Sequence, residues 1–144
     1  MSPEANKTIS RRWLEEVFSN GELALADELV APNHLNSGPG SPPGLPGGPE
    51  GGKMLVTMYH TAFPDVHFTI DEQIAEGDTV MTRWTASGTQ TGELAGMPPT
   101  GKSVTVTGIV VDKFANGMIA QTWAIFDQFG MMQQLGVIPS PGQS

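Results

Sequence analysis

The residues best suited to chemistry lie near the end of the chain, in the run Met118 to Asp127. Side chains at even separations share one face of a strand. Ile119, Gln121, Trp123, Ile125 and Asp127 therefore form one set, and Met118, Ala120, Thr122, Ala124 and Phe126 the other. The first set holds the Trp and two Ile and is taken as the interior one. Asp127 then sits at the rim or floor of an apolar cavity beside Trp123, where desolvation raises a carboxyl pKa toward that of a base working near neutral pH. A second reading of Asp127 stands beside this one: Asp is a favoured helix N-cap, and Gln128 to Leu135 follows it. Arg83 and Trp84 are neighbours on another strand, so they point to opposite faces and one of them lines the cavity. An Arg beside a pocket carboxylate would suit an epoxide-opening constellation that positions water.

The histidines are His34, His60 and His67. None is paired at the close spacing of metal ligands, and no metal is expected. His34 is either packed or in the pocket, His60 is expected at the surface, and His67 alternates with Phe68, which faces the other way. Cysteine is absent, which excludes disulfides, thiolate metal sites and a Cys nucleophile.

With 7 Lys and Arg against 15 Asp and Glu, the 144-residue chain carries a net charge of −8, too acidic to assemble the basic stripe that a phosphate backbone requires. No nucleic-acid partner is expected. The same charge disfavours anionic membrane surfaces, and no apolar run reaches the roughly 20 residues of a membrane helix. The polar start, Met1 to Ser10, is unlike a signal peptide, so a cytoplasmic location is expected.

The elements that must hold these residues follow from periodicity. Ile9, Trp13, Leu14, Val17 and Phe18 form one stripe of an amphipathic helix ending at Asn20-Gly21. Leu25, Leu29 and Val30 suggest a second short helix, stopped by Pro32. From Pro32 to Gly52 lie 6 Pro and 7 Gly, a density that opposes both helix and sheet. A loop is expected over 37–52, as an insertion or lid closing over the pocket. Met54, Leu55, Met58, Tyr59 and Ala62 make a third helical stripe. The period then becomes two through Val66, Phe68 and Ile70, and strands follow at Thr79 to Thr89, Val104 to Phe114 and Met118 to Phe126. Asn116-Gly117 marks a tight hairpin between the last two. Helices first and a meander of strands after them predict an α+β domain over 1–144, helices on one face of a curved antiparallel sheet, with a short flexible tail at 139–144.

The sequence also carries an ordered set of motifs: Phe63-Pro64-Asp65, Ala75-Glu76-Gly77-Asp78-Thr79-Val80, Arg83-Trp84, Gly88-Thr89, Gly92 and Gly96-Met97-Pro98-Pro99-Thr100-Gly101-Lys102. Asn116-Gly117-Met118-Ile119-Ala120-Gln121-Thr122-Trp123, Asp127 and Gln133-Gln134-Leu135-Gly136 close the series. In this combination the chain resembles the SnoaL-like polyketide cyclase family, from Lys7 to Gly136. The resemblance implies an NTF2-like cone of helices around a strongly bent antiparallel or mixed sheet with a deep pocket, assembled as a homodimer or homotetramer. It implies a hydrophobic polycyclic substrate and chemistry without a cofactor. In the family's cyclases, the Asp that falls at Asp127 removes a proton from an activated carbon, and the carbanion closes a ring by intramolecular aldol attack. Trp123, Gln121, Gln90, Arg83, Trp84, His34, Tyr59 and Phe68 are the residues expected around such a substrate. Gln90 stands where many relatives have His, Ser37 where many have a second His, Gln121 where Glu is common, and Met118 where Lys is common. Neither Gln can transfer a proton. A hydroxylase or an epoxide hydrolase-like enzyme, and a non-catalytic small-molecule-binding module, remain open beside the cyclase.

Overall fold

A computed structural model describes residues 2–138, so the tail expected at 139–144 lies outside the described residues. The chain opens with α1 (Pro3–Arg12), whose N-cap Ser2 accepts a hydrogen bond from the Ala5 N–H and whose Pro3 fits the first turn. α1 runs on into a wider, π-helical stretch, Trp13–Ser19, which buries Leu14, Val17 and Phe18 as their spacing predicts. A 3₁₀ turn (Leu23–Leu25) and α2 (Ala26–Leu29) follow. α3 (Pro49–Ala62) is the third helix, and α4 (Gln128–Leu135) ends the fold at Gly136, which takes the left-handed conformation usual after a helix C-terminus.

The sheet has five strands: β1 (Val30–Ser37), β2 (His67–Glu76), β3 (Thr79–Thr89), β4 (Ser103–Ala115) and β5 (Met118–Phe126). Their order is β1-β5-β4-β3-β2, with β1 parallel to β5 and the other pairs antiparallel. The turn between β4 and β5 has φ 54 at Asn116 and 76 at Gly117, the paired positive angles for which Asn-Gly is suited.

Two expectations change here. Residues 30–37 form a strand rather than a helix end and loop, and Pro32 is tolerated because β1 is an edge strand, where a missing N–H costs no ladder bond. α3 starts inside the Pro/Gly run, at Pro49, because Pro is well accommodated in a helix's first turn. The true loop is 38–48. It is tied down at both ends: the Gly40 N–H donates to Ala124 O at 2.8 Å and the Gly48 N–H to His34 O at 2.8 Å.

The core lies between the helices and the inner face of the sheet. Leu14, Val17 and Phe18 meet Val56, Ala62 and Phe63 on one side and Phe68, Trp84, Val106 and Val110 on the other. No helix among the described residues is long and apolar enough to cross a membrane.

Candidate active site

A cavity opens inside this core, holding about 1080 Å³ of atom-free space counted out through its mouth. Its walls are aromatic. Phe18 contacts Phe68 at 4.6 Å between ring centroids, Phe68 contacts Trp84 at 4.9 Å, and Trp84 and Tyr59 both approach Phe126, at 6.2 and 6.4 Å. Among the lining residues there is no Asp, Glu, Lys or Arg; the titratable groups are His34 on β1 and Tyr59 on α3. Gly40 and Ser41 bring the start of the 38–48 loop to the cavity wall. Trp13 and Phe18 reach it from the π-helical stretch.

β5 contributes Ile119 to the wall as expected, but beyond it Thr122, Ala124 and Phe126, the opposite set from the one expected. The reason is a bulge. Lys113 pairs with Gln121 but Phe114 pairs with Ile119, which leaves Ala120 unmatched and puts both Ile119 and Thr122 inward. A single extra residue reverses the face of everything beyond it. Trp123 and Ile125 are consequently 42% and 38% exposed on the outer face, and Gln121 is exposed with them.

Asp127 is corrected on the same ground. It is exposed, and its Oδ1 accepts the Gly130 N–H at 2.9 Å, so the carboxylate caps α4 and does not line the cavity. Arg83 also lies outside, half exposed between Asp71 and Glu72, so the Asp–Arg epoxide-opening constellation does not form in the cavity. Gln90 is fully buried but faces the 92–102 loop. Its amide donates to Pro98 O and accepts from the Thr100 N–H and hydroxyl, which staples that loop, and Gln90 is not among the residues lining the cavity. His60 is half-buried against Phe18 O rather than at the surface. His34, Tyr59, Phe68 and Trp84 are the expected residues that the fold does bring together around the cavity. No cluster of metal-ligating side chains occurs among the described residues.

One polar chain runs from the cavity wall into the core. His34 Nε2 lies 2.8 Å from Thr122 Oγ1, Thr122 Oγ1 donates to Asp112 Oδ1 at 2.9 Å, and Ser10 Oγ donates to Asp112 Oδ2 at 2.8 Å. Asp112 pairs with Thr122 across β4 and β5. Periodicity could have found it: Asp112 follows Val104, Val106, Gly108 and Val110 in the inward register, a lone carboxyl on an apolar face. Burial lowers the His34 pKa to about 4 and pushes Asp112 up to about 6, although the bonds from Ser10 and Thr122 pull Asp112 back down. Burial also pushes the Tyr59 phenol up to about 12, so it remains a hydrogen-bond donor at any working pH.

These shifts make opposite contributions to stability. Folded His34 resists protonation down to about 4 while the unfolded residue takes a proton near 6.5, so acid in that interval favours unfolding. Folded Asp112 holds its proton up to about 6 while the unfolded residue loses it near 3.8, so raising the pH through that interval favours unfolding. Relative to wild type, His34→Gln should gain stability as pH falls through the His34 window, and Asp112→Asn should gain as pH rises through its own. Urea denaturation at stepped pH checks both signs.

Helices on a bent, mixed sheet that encloses a deep apolar pocket define the NTF2-like class of α+β proteins. The sequence profile of the family described as SnoaL-like polyketide cyclase matches residues 8–135, and the chain belongs to that family. No functionally curated protein matches by sequence. Among solved structures, TsrD from Streptomyces laurentii superposes with a TM-score of 0.86 at 25% identity, covering 96% of this chain and 99% of that one. A candidate polyketide cyclase from Acidithiobacillus ferrooxidans gives 0.81 at 32% identity, over 95% and 99%. IdmH, a candidate polyketide cyclase from Streptomyces antibioticus, gives 0.78 at 32% identity, over 91% and 98%.

Proposed function

We propose that the chain is a cyclase-like enzyme that closes a ring in a hydrophobic polycyclic polyketide by an intramolecular aldol-type step. The observation that carries this reading is an aromatic-walled cavity whose lining holds one basic group, His34, and no charged side chain. A carbon flanked by carbonyls on an aromatic system is already acidic, so one well-positioned base can ionise it. His34 takes the C–H proton, the carbanion attacks a carbonyl of the same molecule, and the resulting alkoxide takes the proton back. Substrate and product are isomers. Tyr59, neutral and donating, suits the oxygen on which enolate charge gathers, while Phe68, Trp84 and Phe126 orient the flat ring system and exclude water.

The outer sheet face supports an assembly. Ile74, Met81, Val111 and Trp123 lie in one register row across β2 to β5, and Ile109 pairs with Ile125 in the next. Three of the four in the first row are at least 39% exposed, a patch suited to burial against a second copy in a homodimer or homotetramer.

The functional test uses an anthrone methyl ester with a β-keto side chain, incubated in D₂O. Deuterium at the activated carbon and a ring-closed isomer are expected. Oxygen gained from O₂ would make the protein a hydroxylase instead, and unchanged ester recovered from a tight complex would make it a binding module.

A further inference from the structure

We propose that Thr122 and Asp112 are positioning residues that make His34 a base at one defined nitrogen, by holding its other nitrogen in a buried hydrogen-bonded relay. The inference rests on the reading of His34 as the proton acceptor.

The protons available around Thr122 fix the tautomer of His34. Both carboxylate oxygens of Asp112 are occupied as acceptors, Oδ2 by the Ser10 hydroxyl and Oδ1 by the Thr122 hydroxyl. Thr122 has a single proton and has given it to Asp112, so toward His34 its oxygen can only accept. The His34 nitrogen 2.8 Å away, Nε2, must then carry the hydrogen. That leaves a lone pair on Nδ1, which is buried and has no hydrogen-bond partner among the described residues. A buried acceptor left unpaired costs stability, which is tolerable where a ligand or a proton fills it. The ring lines the cavity; Asp112 does not, and so acts only through Thr122.

The relay also gives the incoming charge a destination. When a substrate C–H passes its proton to Nδ1, the Nε2 proton can shift to Thr122 Oγ1 as the Thr122 proton moves to Asp112 Oδ1. The ring ends neutral, the carboxylate ends as a carboxylic acid, and the negative charge has moved to the substrate carbon. Burial already biases both ends this way, disfavouring imidazolium on His34 and carboxylate on Asp112. The groups facing Asp112 are Ser10 from α1, Thr122 from β5 and, across the ladder on β3, Val80. No cation contributes to the shift of either Asp112 or His34.

The test compares Thr122→Val, Thr122→Ser, Asp112→Asn and His34→Gln. The readouts are ¹⁵N NMR of the imidazole, which needs no substrate, and deuterium exchange into the anthrone methyl ester. In wild type, a neutral ring protonated at Nε2 is expected at pH 7. Thr122→Val should mix the tautomers and cut the exchange rate at least tenfold with ester affinity unchanged, and Thr122→Ser should restore both. Asp112→Asn should cut the rate similarly; should it fail to fold, the Thr122 pair decides. An unchanged tautomer and rate in Thr122→Val, or a loss that Thr122→Ser does not restore, overturns the relay. If His34→Gln is inactive in that case, His34 still stands as the base; if His34→Gln is fully active, both readings fall.

Discussion

His34→Gln is expected to lower turnover of the anthrone ester by about 10²- to 10⁴-fold, the range a positioned acid–base group contributes, while leaving ester affinity nearly intact. Gln keeps a polar amide at the cavity wall but cannot take a proton from carbon. The contrasting variant is Asp127→Asn. Its carboxylate is engaged with the Gly130 N–H at the start of α4, away from the cavity, and Asn caps a helix about as well as Asp. Turnover in Asp127→Asn should therefore stay within about twofold of wild type, with helix capping preserved. Steady-state kinetics on the two variants side by side separates the alternatives. An inactive Asp127→Asn with an active His34→Gln would return the chemistry to position 127.

Gly108→Val is expected to cost about 3 kcal/mol or more in urea denaturation, at the upper end for overpacking a core. Gly108 pairs with Trp84 across β3 and β4, and the indole lies over the space a side chain would occupy. A Cβ there would meet Trp84 Cζ2 at 2.3 Å, Ile125 O at 2.7 Å and Phe126 Cβ at 2.7 Å. Two of these neighbours are backbone or near-backbone atoms on β5 and cannot swing aside, so Trp84 must move. Displacing it disturbs the ring contacts to Phe68 and Phe126, and ester binding should weaken along with stability. A loss below about 1 kcal/mol would mean that the indole is not seated on Gly108 as described.

The fold was legible wherever periodicity is local. The Ile9 to Phe18 stripe, the alternation through Phe68 and Ile70, and Asn116-Gly117 each carry their own geometry in their residue types, and each element formed. β1 was hidden because Pro32 and the glycines after it argue against a strand in general, whereas an edge position removes the objection. The site was less legible because it depends on register. Ala120 gives no sign in its own chemistry that it will bulge, yet it decides whether Trp123 or Thr122 faces inward. Gln90 looked like a ligand group and proved to be a loop staple, since the carbonyl and hydroxyl it serves come from Pro98 and Thr100, which no spacing rule ties to it. Asp112 is absent from the motifs that draw attention to Asp127, and only its place in the inward register of β4, a lone carboxyl on an apolar face, marks it out.

The anchoring of the Pro/Gly segment has a bearing on how this scaffold could diversify. Because Gly40 is pinned to Ala124 and Gly48 to His34, the stretch between them is a handle fastened at both ends. Residues 42–47 within it add nothing to the cavity wall, so a substitution there leaves the imidazole and the rings around it in their places.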